Sequence, residues 1–316
     1  MLDFTVAIPT YNGASRLPQV LEKLQQQRGT EEIAWEVLVI DNNSTDDTAK
    51  VVQLLQDNWP HPYPLRYCFE AQQGLAFARQ RAIAEAQGSW IGFLDDDNLA
   101  ASDWVAAACS FVKDYPKAGA ISGQIHASFE AAPPENFKQI EAFLAIREHG
   151  PTPFQFEPEN LRLPPGAGLV VRKQAWVQSV PSRLALQGRV GKAAVAGEDY
   201  EVLLYMHKAG WEIWYNPAMH IEHRIPRSRL EREYLLPLAR GIGLATCQLR
   251  MINAKTWQKP LIWLRTLLGN LRRVMRHWLH YRGRVETELI PAFEMAFYWG
   301  SLMSPFFYIK RTMQMR

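Results

Sequence analysis

Two rhythms of apolar and polar positions share the first hundred residues. Phe4 to Ile8 (FTVAI) is a short apolar run, stopped by Pro9 and a polar turn, Thr10-Tyr11-Asn12-Gly13, and the spacing predicts a buried strand. Leu17, Val20, Leu21 and Leu24 then recur with helical period, and Pro18 is acceptable in a first helical turn. A second strand is predicted over WEVLVI (35–40), followed by the turn DNNSTDDT and a second helical run at Val51, Val52, Leu54 and Leu55. Residues 75–87 read as a helix stopped by Gly88, and WIGFL (90–94) as a third strand. This alternation predicts parallel βαβ units, and hence an α/β fold with a Rossmann-like, mostly parallel central sheet flanked by helices. Ligands of such sheets bind beyond the carboxyl ends of the strands. Pro9-Thr10, Asp41 and Asp95–Asp97 are all expected there.

After residue 120 the alternation fades. Residues 130–165, rich in proline and polar residues, are expected to make a long surface excursion, and LPPGAGLVVRK (163–173) to return to a strand. Residues 183–199 carry Gly188, Gly191 and Gly197 and read as a mobile loop running into Glu198-Asp199. A helix (200–208) and a strand-like WEIWYNP (211–217) follow. The expected organisation is one α/β domain over 1–250, with halves at about 1–120 and about 121–250, and a helical extension over 251–316.

Charge separates these parts. Of 35 Lys/Arg and 32 Asp/Glu, residues 255–316 hold 11 bases and 3 acids, leaving 24 bases and 29 acids in residues 1–254. A slightly acidic body with a basic tail points to an anionic surface as the tail's partner. The 3 cysteines (Cys68, Cys109, Cys247) are far apart and form no CxxC pair, so neither a zinc site nor a disulfide framework is expected, and reduced thiols suit the cytosol. Met1-Leu2-Asp3 leads straight into a strand, so no secretory leader is expected.

The run Asp95-Asp96-Asp97 needs a reason, because like charges repel. An acidic surface turn is the plain explanation of an isolated triplet. Here, however, the preceding strand is strongly apolar, and two other polar clusters share its edge. Two carboxylates one residue apart at a strand end can share a divalent cation, and Mg²⁺ or Mn²⁺ suits hard oxygen ligands and substrate phosphates.

Four blocks in order, VAIPTYNG (6–13), VLVIDNNSTDDT (37–48), GLAFARQRA (74–82) and FLDDDN (93–98), resemble the N-terminal half of the family 2, GT-A-type glycosyltransferases. GAGLVVRK (166–173), GEDYE (197–201) and HIEHRIPRSRL (220–230) continue the resemblance to about residue 230. The chain also resembles, more narrowly, the hormogonium polysaccharide biosynthesis glycosyltransferases of filamentous cyanobacteria. The family resemblance implies a nucleotide-sugar donor site at Pro9, Thr10, Tyr11, Asp41, Arg79, Asp95 and Asp96, with Asp41 accepting from the base, usually uracil. It implies a D-x-D pair, Asp95 towards the ribose and Asp97 on the metal, with His223 completing the metal shell and His220 as a nearby rival. It also implies an acceptor and diphosphate region around Gly166, Gly168, Arg172, Arg227 and Arg229. Where the family commonly has A-R-N-x-G, this chain reads Ala78-Arg79-Gln80-Arg81-Ala82, so Arg79 is kept and its neighbours differ.

Inverting transfer needs a base for the acceptor hydroxyl. The resemblance puts that role on Asp199, with Glu198 as the alternative; acids that favour a helix dipole are the plainer explanation of the same pair. The 183–197 loop is expected to close over the donor sugar and exclude water, and an ordinary surface loop is the alternative. The activity implied is an inverting, metal-dependent hexosyl transfer from a nucleotide sugar, UDP-linked, to a glycan or lipid-linked acceptor in polysaccharide biosynthesis. A nucleotidyltransferase would want a Gly/Lys-rich phosphate loop after the first strand, and a dehydrogenase would want GxGxxG; Pro9-Thr10-Tyr11 supplies neither. A catalytically dead glycan-binding scaffold has no need of Asp95, Asp97 and Asp199 together.

In the tail, Leu261, Leu264, Leu268, Leu271, Met275, Trp278 and Leu279 share one helix face, with Arg265, Arg272 and Arg276 beside it. Either this basic amphipathic helix lies on an anionic membrane, or it packs on the catalytic domain. Residues 289–309 are apolar, but Pro291, Glu294, Gly300 and Pro305 interrupt them, and a central acid costs roughly 2.5–3.5 kcal/mol on insertion. A peripheral contact through 261–309, at the inner face of the plasma membrane, is therefore expected rather than a span. Nucleic acid is not expected, because the arginines flank an apolar stripe instead of forming a continuous polar face.

Overall fold

The computed structural model describes residues 2–188 and 195–314. Packing divides the chain into two compact units, each assembled from three stretches. Met1–Ser128, Ala145–Ser182 and Tyr205–Arg224 build the first; Phe129–Leu144, Arg183–Leu204 and Ile225–Arg316 build the second.

The first unit opens with the expected alternation: β1 (Leu2–Thr10), α1 (Leu17–Gln25), β2 (Trp35–Asp41), α2 (Thr48–Asp57), β3 (Leu65–Phe69), α3 (Leu75–Glu85) and β4 (Gly88–Phe93). β5 (Asn98–Ala100), α4 (Trp104–Asp114), β6 (Ala118–Phe129), β7 (Phe154–Gln155), β8 (Val170–Arg172), α5 (Lys173–Ser179), α6 (Glu198–Lys208), whose residues up to Leu204 count with the second unit, and β9 (Glu212–Ile225) follow. The strands order as β3-β2-β1-β4-β8-β6-β9-β5, and β7 also pairs with β9. β3, β2, β1 and β4 are mutually parallel, whereas β8 runs antiparallel to β4, and β5 and β7 antiparallel to β9. The result is a mostly parallel central sheet flanked by helices, as expected.

Packing explains the pattern. Phe4, Val6 and Ile8 of β1 share one apolar cluster with Leu17, Val20, Leu21 and Leu24 of α1 and Trp104, Val105 and Ala108 of α4. Each of these side chains is at most 2% exposed, so the apolar stripe of α1 is wholly consumed by the sheet. On β4, the Phe93 ring lies 5.9 Å from Trp176 of α5.

Three readings change. LRYCF is a strand that alternation did not reveal, because it is an edge strand in which only Leu65 is buried. Ala118–Phe129 is a long strand whose small residues dilute the apolar signal. WEIWYNP is only the start of a 14-residue strand. Pro217 does not end it, because the β7 partners (214–215) and the β5 partners (221–223) lie on either side of that residue.

In the second unit, α7 (Arg232–Ile252), α8 (Lys259–Tyr281), the short α9 (Arg284–Thr287) and α10 (Leu289–Gln314) form a helical assembly. α7 and α10 meet backbone to backbone. A Cβ at Gly243 would come within 2.4 Å of the Phe297 carbonyl oxygen, and one at Gly300 within 2.3 Å of the Arg240 carbonyl oxygen. Phe143 stacks edge-on against Phe293, at 4.8 Å between ring centroids. No helix among the described residues is long and apolar enough to cross a membrane.

Candidate functional site at the carboxyl edge of the parallel strands

The chain runs outward from β1 through β2 to β3 and then returns to the other side of β1 as β4, leaving a switch point beyond the carboxyl ends of β1 and β4. Thr10 and Asp41 are register partners at the ends of β1 and β2. Asp41 is buried, and both of its oxygens accept hydrogen bonds, from the Ser44 amide at 2.9 Å and the Tyr67 hydroxyl at 2.8 Å. Burial and that bond push the Tyr67 phenol far above its ordinary range, so it stays a donor. Pro9 and Thr10 are buried beside Asp41, whereas Tyr11 is exposed, as a ring available to a ligand would be.

The three consecutive aspartates have three different environments. Asp96 is clamped. Its carboxylate accepts from Thr10 Oγ1 at 2.5 Å and from Arg16 Nε and Nη2 at 2.9 and 2.8 Å. Arg16 thus neutralises the middle charge and ties the β4 turn to the start of α1. Asp95 lies 3.7 Å from the buried Arg79 guanidinium, which sits over the Phe93 ring. Burial raises the Asp95 carboxyl above the usual range; Asp97 and Asp96 push the same way, and Arg79 and His223 oppose them. Asp97 is buried, accepts from the Asn98 amide at 3.1 Å, and lies 3.8 Å from His223 Nε2. That approach follows from register, since Asn98 of β5 is the partner of His223 of β9.

Asn98 was not singled out from the sequence, yet it closes the turn twice: its side chain accepts from the Asp95 amide, and its own amide donates to the Asp95 carbonyl. Asn42 does similar work, accepting from the Gly74 amide at 2.7 Å and donating to the Gln72 carbonyl at 2.8 Å, which fastens the start of α3 to the end of β2. Asparagines at strand ends inside DNNSTDDT and FLDDDN are the available signal for both, because their amides mimic backbone turns.

Gly166 belongs to the same cluster, since a Cβ there would come within 2.3 Å of the Arg79 guanidinium. Gly168 adopts φ +65 at the approach to β8. Arg172 is not brought to this edge. It pairs with Trp90 near the amino end of β4, donates to the Ala118 and Pro116 carbonyls, and stacks on Trp90 and Trp211. His220, the rival of His223, bonds instead to His126 at 2.9 Å, and His126 to Glu148 at 2.7 Å.

Glu198 and Asp199 open α6 and belong to the second unit. Glu198 is buried and accepts from the Gly197 amide at 3.0 Å, whereas Asp199 is half-buried and accepts from the Tyr200 amide at 2.9 Å. One turn on, Glu201 is buried and accepts from the Ala185 and Leu186 amides at 3.0 and 2.7 Å. Burial raises its carboxyl to about 7 against the pull of those amides and of Arg311. Arg227, also in this unit, is exposed and lies 3.9 Å from Glu231, while Arg229 is half-buried. The expected loop over 183–197 lies partly outside the described residues, from 189 to 194.

A parallel sheet that turns antiparallel at β8, with its polar residues gathered at the switch point, is the GT-A arrangement of glycosyltransferases. The sequence profile of glycosyl transferase family 2 matches residues 5–174, more than half of the chain, and the chain belongs to that family. It is 37% identical over 102 residues to the uncharacterized glycosyltransferase YfnE of Bacillus subtilis, covering 32% of this chain and 25% of that protein. For the first curated relatives the matched stretch covers between 25% and 46% of their own length. Among solved structures, the mannosyltransferase PcManGT of Pyrobaculum calidifontis superposes with a TM-score of 0.58 at 18% identity, covering 96% of this chain and 89% of that one. GalNAc-T7 superposes with a TM-score of 0.55 at 15% identity, covering 77% of this chain and 48% of that one. These likenesses establish the shared fold.

Proposed function

We propose that the protein transfers a hexose, with inversion, from a nucleoside-diphosphate sugar to a glycan or lipid-linked acceptor in polysaccharide assembly. The donor is UDP-linked. Residues 1–250 supply the transfer machinery, and the protein works on the cytoplasmic side as a peripheral membrane enzyme. The narrower kinship with the hormogonium polysaccharide enzymes belongs to this proposal.

The observation that carries the reading is the buried pair of Asp97 and His223, 3.8 Å apart, beside Asp95 and Arg79 at the sheet's switch point. A carboxylate and an imidazole set side by side at the end of the parallel strands are hard and borderline ligands of the kind a divalent cation takes. Among the described residues, no three His, Cys, Asp or Glu side chains converge to hold an ion by themselves. Asp97 and His223, with Asp95 nearby, fit Mg²⁺ or Mn²⁺ as a partial shell that a substrate diphosphate completes. When bound, such an ion would neutralise charge on the departing nucleoside diphosphate. PcManGT was solved with GDP-Man and Mn²⁺, and GalNAc-T7 with UDP, GalNAc and Mn²⁺, which supports a donor and a metal of this kind.

Within this reading, Tyr11 stacks on the base and Asp41 accepts from it, exchanging its bond to the Ser44 amide or to Tyr67. Arg79 faces the phosphates, and Asp95 the ribose. Asp199 takes the acceptor's proton; its partial exposure, against the burial of Glu198, favours it as the base. Arg227 and Arg229 serve the diphosphate.

Nucleotide release from a panel of UDP- and GDP-sugars, with and without Mn²⁺, tests the proposal. Asp97→Ala is expected to lower release by more than about a hundredfold, beyond the ~10–100-fold cost of losing an outer-shell partner of a metal. Full activity in that variant, or metal-independent turnover, sinks the metal assignment.

A further inference from the structure

α8 packs inside out. The side chains it buries are polar: Thr266, Asn270 and His277. They are satisfied within the unit. Asn270 donates to the Ser301 carbonyl of α10 at 3.4 Å, His277 bonds the Pro291 carbonyl at 2.8 Å, and Arg250 of α7 donates to Thr266 at 3.3 Å. The apolar stripe is left facing outward. Leu264, Leu268, Leu271, Met275 and Trp278 are 43–59% exposed. A helix stabilised by tertiary packing ordinarily spends its apolar face on the core, so this orientation needs an outside partner.

The stripe does not stop at α8. Trp263 reaches α10, donating from its indole to the Pro305 carbonyl at 3.2 Å and meeting Phe306 edge-on at 5.7 Å. Trp299, Met303, Phe306 and Ile309 of α10 are themselves 38–48% exposed and recur at helical spacing. Two adjoining helices therefore present apolar side chains to solvent, far more than the scattered exposed residues of an ordinary surface.

Charge decides what covers them. From Lys259 to Tyr281 there are five Lys/Arg residues and no Asp or Glu. Arg265, Arg272 and Arg276 are exposed and lie about 80–120° around the helix from Leu264, forming one border of the stripe, while α10 lies beyond the other. A second copy of this chain is a poor match, because self-pairing sets two copies of a helix that carries five bases and no acid against each other. An apolar stripe with a cationic border and tryptophans at its margins matches the interface of an anionic bilayer.

We propose that the outward faces of α8 and α10 form a membrane-docking surface that lies in the headgroup region of anionic lipid, with α8 parallel to the membrane. The surface shares no residue with the candidate site at the strand ends and stands whether or not the transfer reaction proceeds as proposed.

Co-flotation of the full chain with vesicles tests it. Vesicles of phosphatidylcholine alone are compared with vesicles rich in phosphatidylglycerol. The expected result is retention on the anionic vesicles and little on the neutral ones. A triple variant Arg265→Gln, Arg272→Gln, Arg276→Gln should weaken partitioning about a hundredfold, at about fivefold per arginine. A second variant, Leu264→Glu with Leu268→Glu, should abolish it, and the thermal midpoint of both should stay near the parent's because every altered side chain is exposed. Absence of binding by the parent chain overturns the proposal, as does equal binding to neutral vesicles or undiminished binding by either variant. Sedimentation showing a dimer that Leu268→Glu dissolves also overturns it, in favour of a self-interface.

Discussion

α1 and α8 carry the same kind of apolar spacing and use it in opposite directions. Leu17, Val20, Leu21 and Leu24 disappear beneath the sheet, whereas Leu264, Leu268 and Leu271 face solvent while Thr266 and Asn270 are buried. Periodicity tells which residues share a side of a helix; it does not tell which side turns inward. The decision lies with neighbours. A parallel sheet offers α1 an apolar floor, and α7 and α10 offer α8 polar partners such as Arg250 and the Ser301 carbonyl. The choice on α8 is legible only once those partners are known.

The contrast can be broken most decisively at matched leucines. Leu21→Ala should cost about 2–5 kcal/mol in urea unfolding, because it empties a filled core. Leu268→Ala should stay within about 0.5 kcal/mol, as for an exposed site. Comparable losses at both positions would mean that the α8 stripe is covered within the chain.

A smaller effect is expected at the seam holding the helical unit. Gly300→Ala drives a methyl towards the Arg240 carbonyl and should destabilise by about 1–3 kcal/mol, despite alanine's better helix propensity. A neutral or stabilising result would show that α7 and α10 can part.

Glu201 probes the inward side of the same unit through pH. Its folded carboxyl titrates near 7 against an ordinary 4.5, so the folded state holds the proton more tightly than the unfolded state does. Its stabilising contribution is therefore complete below about 4.5 and fades as the pH rises through about 7. Glu201→Gln should remove on the order of 3 kcal/mol of pH dependence across that window, read as the difference between parent and variant unfolding curves. Parallel curves would show that the carboxyl is not buried in the folded chain.

The mildest test returns to α8. Gly269 has open space around its Cβ position, so Gly269→Ala should raise stability by about 0.5–1 kcal/mol. A loss there would place a neighbour against the outward face.

Much of the candidate site at the strand ends could be read directly from the chain. β1, β2 and β4 are apolar runs ended by polar turns, and Thr10, Asp41 and Asp95 lie together because parallel strands end on one side of a sheet. Spacing along the chain does not carry the contacts that depend on long-range pairing: the family resemblance supplied His223, whereas Arg16 escaped the reading. His223 approaches Asp97 only because β9 pairs with β5, more than a hundred residues away in sequence. A separation of 80 residues hid Arg16, whose grip on Asp96 shows that a triplet of like charges can be partly spent on scaffolding. Arg172 shows the converse: a basic residue inside a recognisable block can belong to the opposite end of its strand.

The glycine seam between α7 and α10 has a mechanical consequence. Helices whose main chains touch at two reciprocal notches cannot easily slide or peel apart. A lipid surface would thus meet a stiff plate instead of a tethered paddle, and adhesion would set the tilt of the entire helical unit. Cutting the chain before α10 would strip α7 of its companion, which makes point changes on the outer rows a cleaner instrument than truncation.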